Sequence, residues 1–145
     1  MFNHILVPVD GSDTAQMAVG KAITLAQAFG SRVTVIYVID PYPFTGVGTD
    51  FAYGQAEYLS AATAEANAAV KAAKEAFSGA TVTVDTSVIE AHTVWRGIVE
   101  AATSLQADLI VMGSHGRSGL EKLVLGSVAQ AVLSHTKLPV LVVRD

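Results

Sequence analysis

From one end of the chain to the other, short apolar runs alternate with longer stretches in which apolar residues recur every three or four positions. The runs Ile5–Val9, Val33–Ile39, Val82–Ile89, Leu109–Met112 and Val140–Val143 read as strands. At least three are near-continuous in apolar character, as expected for parallel strands covered on both faces. Between them, Ala18, Ala22, Leu25 and Phe29 mark one face of a helix, with Ser12 or Asp13 as its cap and Gly30 just past its end. Leu59, Ala62, Ala66, Ala69, Ala73 and Phe77 mark a second, whose many alanines favour helix outright and permit close packing. Val94, Ile98, Ala101 and Leu105 mark a third. Val128–Leu133 reads as a fourth, with Ser127 as its N-cap.

Five strands joined by four crossovers predict an open parallel α/β sheet with right-handed connections and helices on both faces, a Rossmann-like class. Such sheets bind ligands outside the carboxyl ends of the strands, where the strand order reverses. The end of the first strand (Pro8-Val9-Asp10-Gly11-Ser12) and the end of the fourth (Gly113-Ser114-His115-Gly116) then share one crevice. Asp40–Gly54 is the only irregular stretch, with two prolines and several glycines among Tyr42, Phe44, Phe51 and Tyr53. It fits a lid or partner surface, and equally a surface loop whose aromatics tuck against the domain.

Composition narrows the function classes. A chain of 145 residues that is 51% hydrophobic is one domain, residues 1–145, with a substantial core. No apolar run approaches the length of a membrane span, so no membrane insertion is expected. The first strand begins too early to leave room for a basic region and cleavage site, and the expected location is cytoplasmic. There is no cysteine, hence no disulfide or thiolate site. The net charge is −4 and the nine Lys and Arg residues form no cluster, which argues against nucleic-acid binding.

The chemistry concentrates after the fourth strand. Gly113-Ser114-His115-Gly116 is followed by nine residues and then Gly126-Ser127 at a helix start. A strand, a glycine-rich loop and a helix N-terminus offer backbone N–H groups and a positive dipole end to an anion. Gly113 and Gly116 leave the backbone free to turn and to approach a ligand. The same pattern also fits a turn-rich loop with an ordinary capped helix. Asp10 is either an acceptor for a nucleoside or a turn aspartate capping Gly11-Ser12. His115 is a phosphate contact or a base, although no orienting partner is visible for it. Arg117 suits phosphate charge, or is a solvated surface arginine. Trp95 fits core or rim better than a stacking platform, and His4, His92 and His135 lack metal-ligand spacing, so no catalytic residue and no metal site is assigned. No G-x-x-x-x-G-K-[ST] and no G-x-G-x-x-G is present.

These motifs resemble the universal stress protein family along essentially the whole chain, from Ile5-Leu6-Val7-Pro8-Val9-Asp10-Gly11-Ser12 to Pro139-Val140-Leu141-Val142-Val143. The likeness is strongest in Met112-Gly113-Ser114-His115-Gly116-Arg117-Ser118-Gly119 and Leu125-Gly126-Ser127-Val128, whose G-x2-G-x9-G-[ST] spacing marks the family's ATP-binding branch. The resemblance implies strand order 3-2-1-4-5 and ATP as ligand, with Mg2+ bound through the phosphates. It places Asp10 and the Val38 backbone at the adenine, with Pro8 and Val9 lining that pocket. Met112 and Gly113 fall by the ribose, and Gly116, Arg117, Gly126, Ser127 and Val128 around the phosphates; Ser114, His115 and Ser118 belong to the same loop. It further implies a homodimer or higher homo-oligomer through Val140–Val143, and a regulatory role in stress adaptation or, in some members, in membrane transport. The alternative is a slow ATPase or a phosphoryl or nucleotidyl transferase on the same fold. His92-Thr93-Val94 departs from the G-x-P that often precedes the third helix, which bears on the adenine end alone.

Overall fold

The computed structural model describes residues 1–41, 49–116 and 125–145. Five parallel strands, β1 (His4–Pro8), β2 (Arg32–Ile39), β3 (Val84–Glu90), β4 (Leu109–Gly113) and β5 (Val140–Val143), form one sheet in the order β3-β2-β1-β4-β5. Four helices connect them: α1 (Asp13–Phe29), α2 (Thr49–Ala76), α3 (Val94–Ser104) and α4 (Ser127–His135).

Alternation along the strands divides the core in two. Ile5, Val7, Val33, Val35, Leu109 and Val111 point to one face, where the small residues of α1 (Ala15, Ala18, Ala22, Ala26) and α2 (Ala69, Ala73) bring the helices close. Leu6, Ile36, Val38, Ile110 and Met112 point to the other, against Ile98 and Ala101 of α3 and Ala129 and Val132 of α4. All five residues of β1 are buried, because it is central and covered on both faces.

Boundaries shift slightly from those expected. Val9 lies past β1, yet its N–H still donates to the Ile36 carbonyl at 2.8 Å, and β3 starts at Val84 rather than Val82. The irregular stretch after β2 is shorter than Asp40–Gly54, because α2 already runs from Thr49. Extending an alanine-rich helix by a residue costs little once it is nucleated, and Gly54 is absorbed. Residues 42–48 of that stretch, with Tyr42 and Phe44, lie outside the described residues.

The amino ends of the strands are tied by a polar cluster. The buried His4 ring donates from Nδ1 to the Leu105 carbonyl at 3.0 Å, and its Nε2 lies 2.7 Å from the Thr34 hydroxyl, which donates to it in the neutral ring. Burial holds this imidazole below its ordinary pKa, outweighing the Leu105 carbonyl, which acts the other way. Beside it, Asp108 accepts from the N–H groups of Asn3 and His4 at 2.9 and 3.0 Å. Desolvation pushes that carboxyl up, but these backbone bonds prevail and hold it below its usual value.

Candidate functional site

Between β1 and β4 the chain order reverses: β2 and β3 continue to one side of β1, β4 and β5 to the other. A cleft of about 690 Å³ opens there, at the carboxyl ends of the strands. Its walls bring together eleven of the residues expected from sequence: Pro8, Val9, Asp10, Val38, Met112, Gly113, His115, Gly116, Gly126, Ser127 and Val128. Ser114 does not line it; the residue is 1% exposed, and it braces the loop instead. Arg117 and Ser118 lie outside the described residues. Ser12, Ala15, Tyr37, Val94, Ile98, Leu125, Ala129 and Gln130 complete the lining. The helical period marks Ile98 as an α3 residue, but its closeness to the loop depends on how that helix packs. Gly97 permits that packing, since a Cβ there would fall 2.8 Å from Ala91 Cβ and 2.9 Å from Val38 Cγ1. Helix α3 therefore reaches the cleft without the G-x-P approach. Thr93 occupies its N-cap position in extended conformation, with no side-chain bond, and His92 Nδ1 stands 3.5 Å from Asp40 Oδ1.

The loop's glycines are required for a different reason from the one their spacing suggests. None of Gly113, Gly116 or Gly126 has positive φ; among the described residues of this region only Gly11 does, at +83°, where the chain turns out of β1. Instead, protein atoms fill the space of each missing side chain. A Cβ on Gly113 would lie 2.7 Å from Thr14 Oγ1, and one on Gly116 would lie 2.5 Å from Asp10 Oδ2. On Gly126 it would lie 3.0 Å from both His115 Cα and the Ser114 carbonyl oxygen. The loop is sewn to three elements. Thr14 Oγ1 donates to the His115 carbonyl at 2.5 Å, the Ser114 N–H donates to the Val143 carbonyl at 2.8 Å, and the Gly126 N–H donates to the Ser114 carbonyl at 2.7 Å.

Helix α4 corrects one expectation. Gly126, not Ser127, holds the N-cap position, in extended conformation with no side-chain capping bond, and Ser127 is the first helical residue and exposed. The close approach of Gly126 to Ser114 and His115 sets where the helix can begin, one residue earlier than the serine preference implies. The first amides of an α-helix have no intrahelical acceptor, and here no cap side chain supplies one. Ser127, Val128 and Ala129, which carry them, line the cleft. Helix α1 is the opposite case, since Ser12 Oγ accepts the Ala15 N–H at 3.2 Å.

Carboxylates approach this loop from two sides. Asp10 takes the turn role, its Oδ1 accepting from the Ser12 N–H at 2.9 Å, while Oδ2 faces Gly116. His115, for which the sequence shows no partner, has its Nε2 buried without a hydrogen bond and 3.6 Å from Asp145 Oδ1. Asp145 lies thirty residues along the chain, so only the parallel pairing of β4 with β5 brings the two together. Trp95 stays out of the cleft and stacks on His135, ring centroids 4.0 Å apart, clamping α3 to α4. Among the described residues no group of three or more His, Cys, Asp or Glu side chains is placed to hold a metal ion, and no helix is long and apolar enough to cross a membrane.

The universal stress protein family model matches residues 1–144. The chain belongs to this family. A universal stress protein of Methanocaldococcus jannaschii is 38% identical over 145 residues, covering 99% of this chain and 83% of its own. The universal stress protein UspA of Lactobacillus plantarum superposes with a TM-score of 0.88 at 28% identity, covering 98% of this chain and 97% of that one. A universal stress protein solved in complex with cAMP superposes with a TM-score of 0.62 at 29% identity, over 99% and 97% of the two chains. The fold of this universal stress protein is thus shared over its length, and a nucleotide is bound by one of its structural relatives.

Proposed function

We propose that the cleft binds ATP, held as a ligand that tunes assembly or partner binding, with Mg2+ carried on the phosphates. The observation that carries this reading is the start of α4, whose uncapped amides line a cleft at the switch point of the sheet. Ser127 and Val128 supply donors for phosphate oxygens, with Gly116 opposite. The apolar end formed by Val9, Val38, Val94 and Ile98 suits a purine, and the volume of the whole cleft lies in the range of ordinary ligand pockets. The family's G-x2-G-x9-G-[ST] spacing is intact, and Arg117 and Ser118 of that motif join the phosphate group in this reading.

The chain acts as a single domain in the cytoplasm, as a homodimer or larger assembly paired along β5. That strand forms one edge of the sheet, with Leu141 40% exposed. An apolar edge left bare invites pairing with another chain. The regulated partner is a component of a stress response or a membrane transporter.

Thermal melting tests the ligand. Mg-ATP at about a hundredfold over Kd adds roughly 2.7 kcal/mol if it binds only the folded state. That raises Tm by about 5–10 °C for a domain near this size. Adenosine should shift it much less, because the donor set is directed at phosphates. No shift at millimolar Mg-ATP refutes the proposal.

A second reading, slow hydrolysis, rests on the Asp145 carboxylate 3.6 Å from His115 Nε2, a small shift of which would orient the candidate base. We expect turnover far below the ~10 s⁻¹ typical of enzymes. Steady-state hydrolysis near one per second that vanishes in His115→Ala would make the protein an ATPase.

A further inference from the structure

We infer that Thr14, buried on α1 and outside the glycine motif, is a positioning residue for the phosphates: its hydroxyl fixes the peptide that aims the Gly116 N–H at the ligand. The inference rests on the nucleotide reading of the cleft. Thr14 is 1% exposed, and its Oγ1 donates to the His115 carbonyl at 2.5 Å. A peptide unit is planar, and in the trans form its C=O and N–H point in opposite directions. No cis peptide is present among the described residues. Holding the His115 carbonyl on the Thr14 hydroxyl therefore turns the N–H of Gly116 away from Thr14. Gly116 lines the cleft, and Thr14 does not.

Two further contacts remove Thr14's freedom to do anything else. The bare Gly113 lets it seat directly beneath the end of β4, because a Cβ there would meet Thr14 Oγ1 at 2.7 Å and the Thr14 backbone carbon at 2.9 Å. Ser12 Oγ lies 3.4 Å from Thr14 Oγ1. With the single Thr14 proton committed to His115, the Ser12 hydroxyl must be the donor in that contact. The first glycine of the motif thus serves the ligand at one remove, by admitting the threonine that orients the loop. A fixed donor costs no reorganisation when the anion arrives, which is why orientation counts in affinity.

The test compares Thr14→Val, which keeps shape but loses the hydroxyl, with Thr14→Ser, which keeps it. Mg-ATP and adenosine affinities are measured by calorimetry on the full chain. Thr14→Val should weaken Mg-ATP by roughly tenfold or more, the scale of one hydrogen bond to a charged group. Adenosine affinity should be unchanged, and Thr14→Ser should bind Mg-ATP as the wild type does. Equal losses for both ligands, or wild-type Mg-ATP affinity in a folded Thr14→Val protein, overturns the inference while leaving the nucleotide reading intact. A wild-type chain that binds neither ligand overturns both. Should Thr14→Val not fold, the Gly116 amide resonance of the wild type decides: it should shift strongly on adding Mg-ATP and little on adding adenosine, and its indifference to Mg-ATP overturns the inference.

Discussion

The carboxylate of Asp10 occupies the space that a side chain on Gly116 would need, its Oδ2 lying 2.5 Å from an ideal Cβ at that position. Two motifs more than a hundred residues apart are thereby one packing unit. Asp10 is not free to swing away, because its other oxygen is bonded to the Ser12 N–H at 2.9 Å. Gly116→Ala should therefore cost about 1–3 kcal/mol through overpacking. In an Asp10→Ala background most of that cost should vanish, giving a coupling of about 1–3 kcal/mol in a double-mutant cycle by urea denaturation. Additive effects would mean that the two residues do not touch.

The second prediction separates Gly126 from Ser127. Gly126→Val drives a branched side chain into the Ser114 carbonyl and His115 Cα, each 3.0 Å from the Cβ position. It should destabilise the fold by about 1–3 kcal/mol as well as abolish nucleotide binding. Ser127 is exposed and makes no capping bond, so Ser127→Ala should change stability by less than about 0.5 kcal/mol. It should still weaken Mg-ATP through loss of one hydroxyl contact. A loss near 1 kcal/mol in Ser127→Ala would show that the serine caps α4 after all.

Acid should loosen the amino ends of the strands. His4 has a folded pKa below the ordinary histidine value of 6.5, so the unfolded chain binds the proton more readily. Its neutral ring contributes stability that is full above pH 6.5 and is lost as pH falls through the lower folded value. Asp108, also depressed, adds stability present above the ordinary aspartate value of 3.8 and lost as pH falls below it. Both act in the same direction. Unfolding free energy measured between pH 7.5 and 5 should fall with pH, and the fall should flatten in His4→Gln. An equally steep fall in that variant would assign the dependence to other groups.

Assembly is best probed at Val142. The Ile110 N–H donates to the Pro139 carbonyl and the Ser114 N–H to the Val143 carbonyl, so the odd-numbered residues of β5 face β4. The N–H and C=O of Val140 and Val142 then face the free edge. Val142→Pro should give a folded monomer, whereas Leu141→Pro breaks the strand's own ladder and destabilises the sheet. Sedimentation at tens of micromolar should find the wild type at least dimeric and the Val142→Pro protein monomeric. Sedimentation of both as the same dimer would place the contact elsewhere.

What the linear pattern determined was everything set by near neighbours and by period. Five apolar runs and four helical faces suffice for a parallel α/β sheet, because a strand buried on both faces can show only a continuous apolar run. The glycine spacing after β4 suffices to locate the cleft, because helix amides and strand ends converge at the switch point of any such sheet. Tertiary packing decided the roles within it. Thr14 and Asp145 lie far along the chain from His115, and no local signal ties a helix threonine or an aspartate past the last strand to a loop carbonyl or an imidazole. The N-cap of α4 went to Gly126 rather than Ser127; at Gly126 the Ser114 carbonyl and the His115 Cα stand 3.0 Å from the start of any side chain and favour glycine. Residue preference sets a bias worth a few tenths of a kilocalorie between glycine and serine at an N-cap, and crowding by a packed backbone outweighs it.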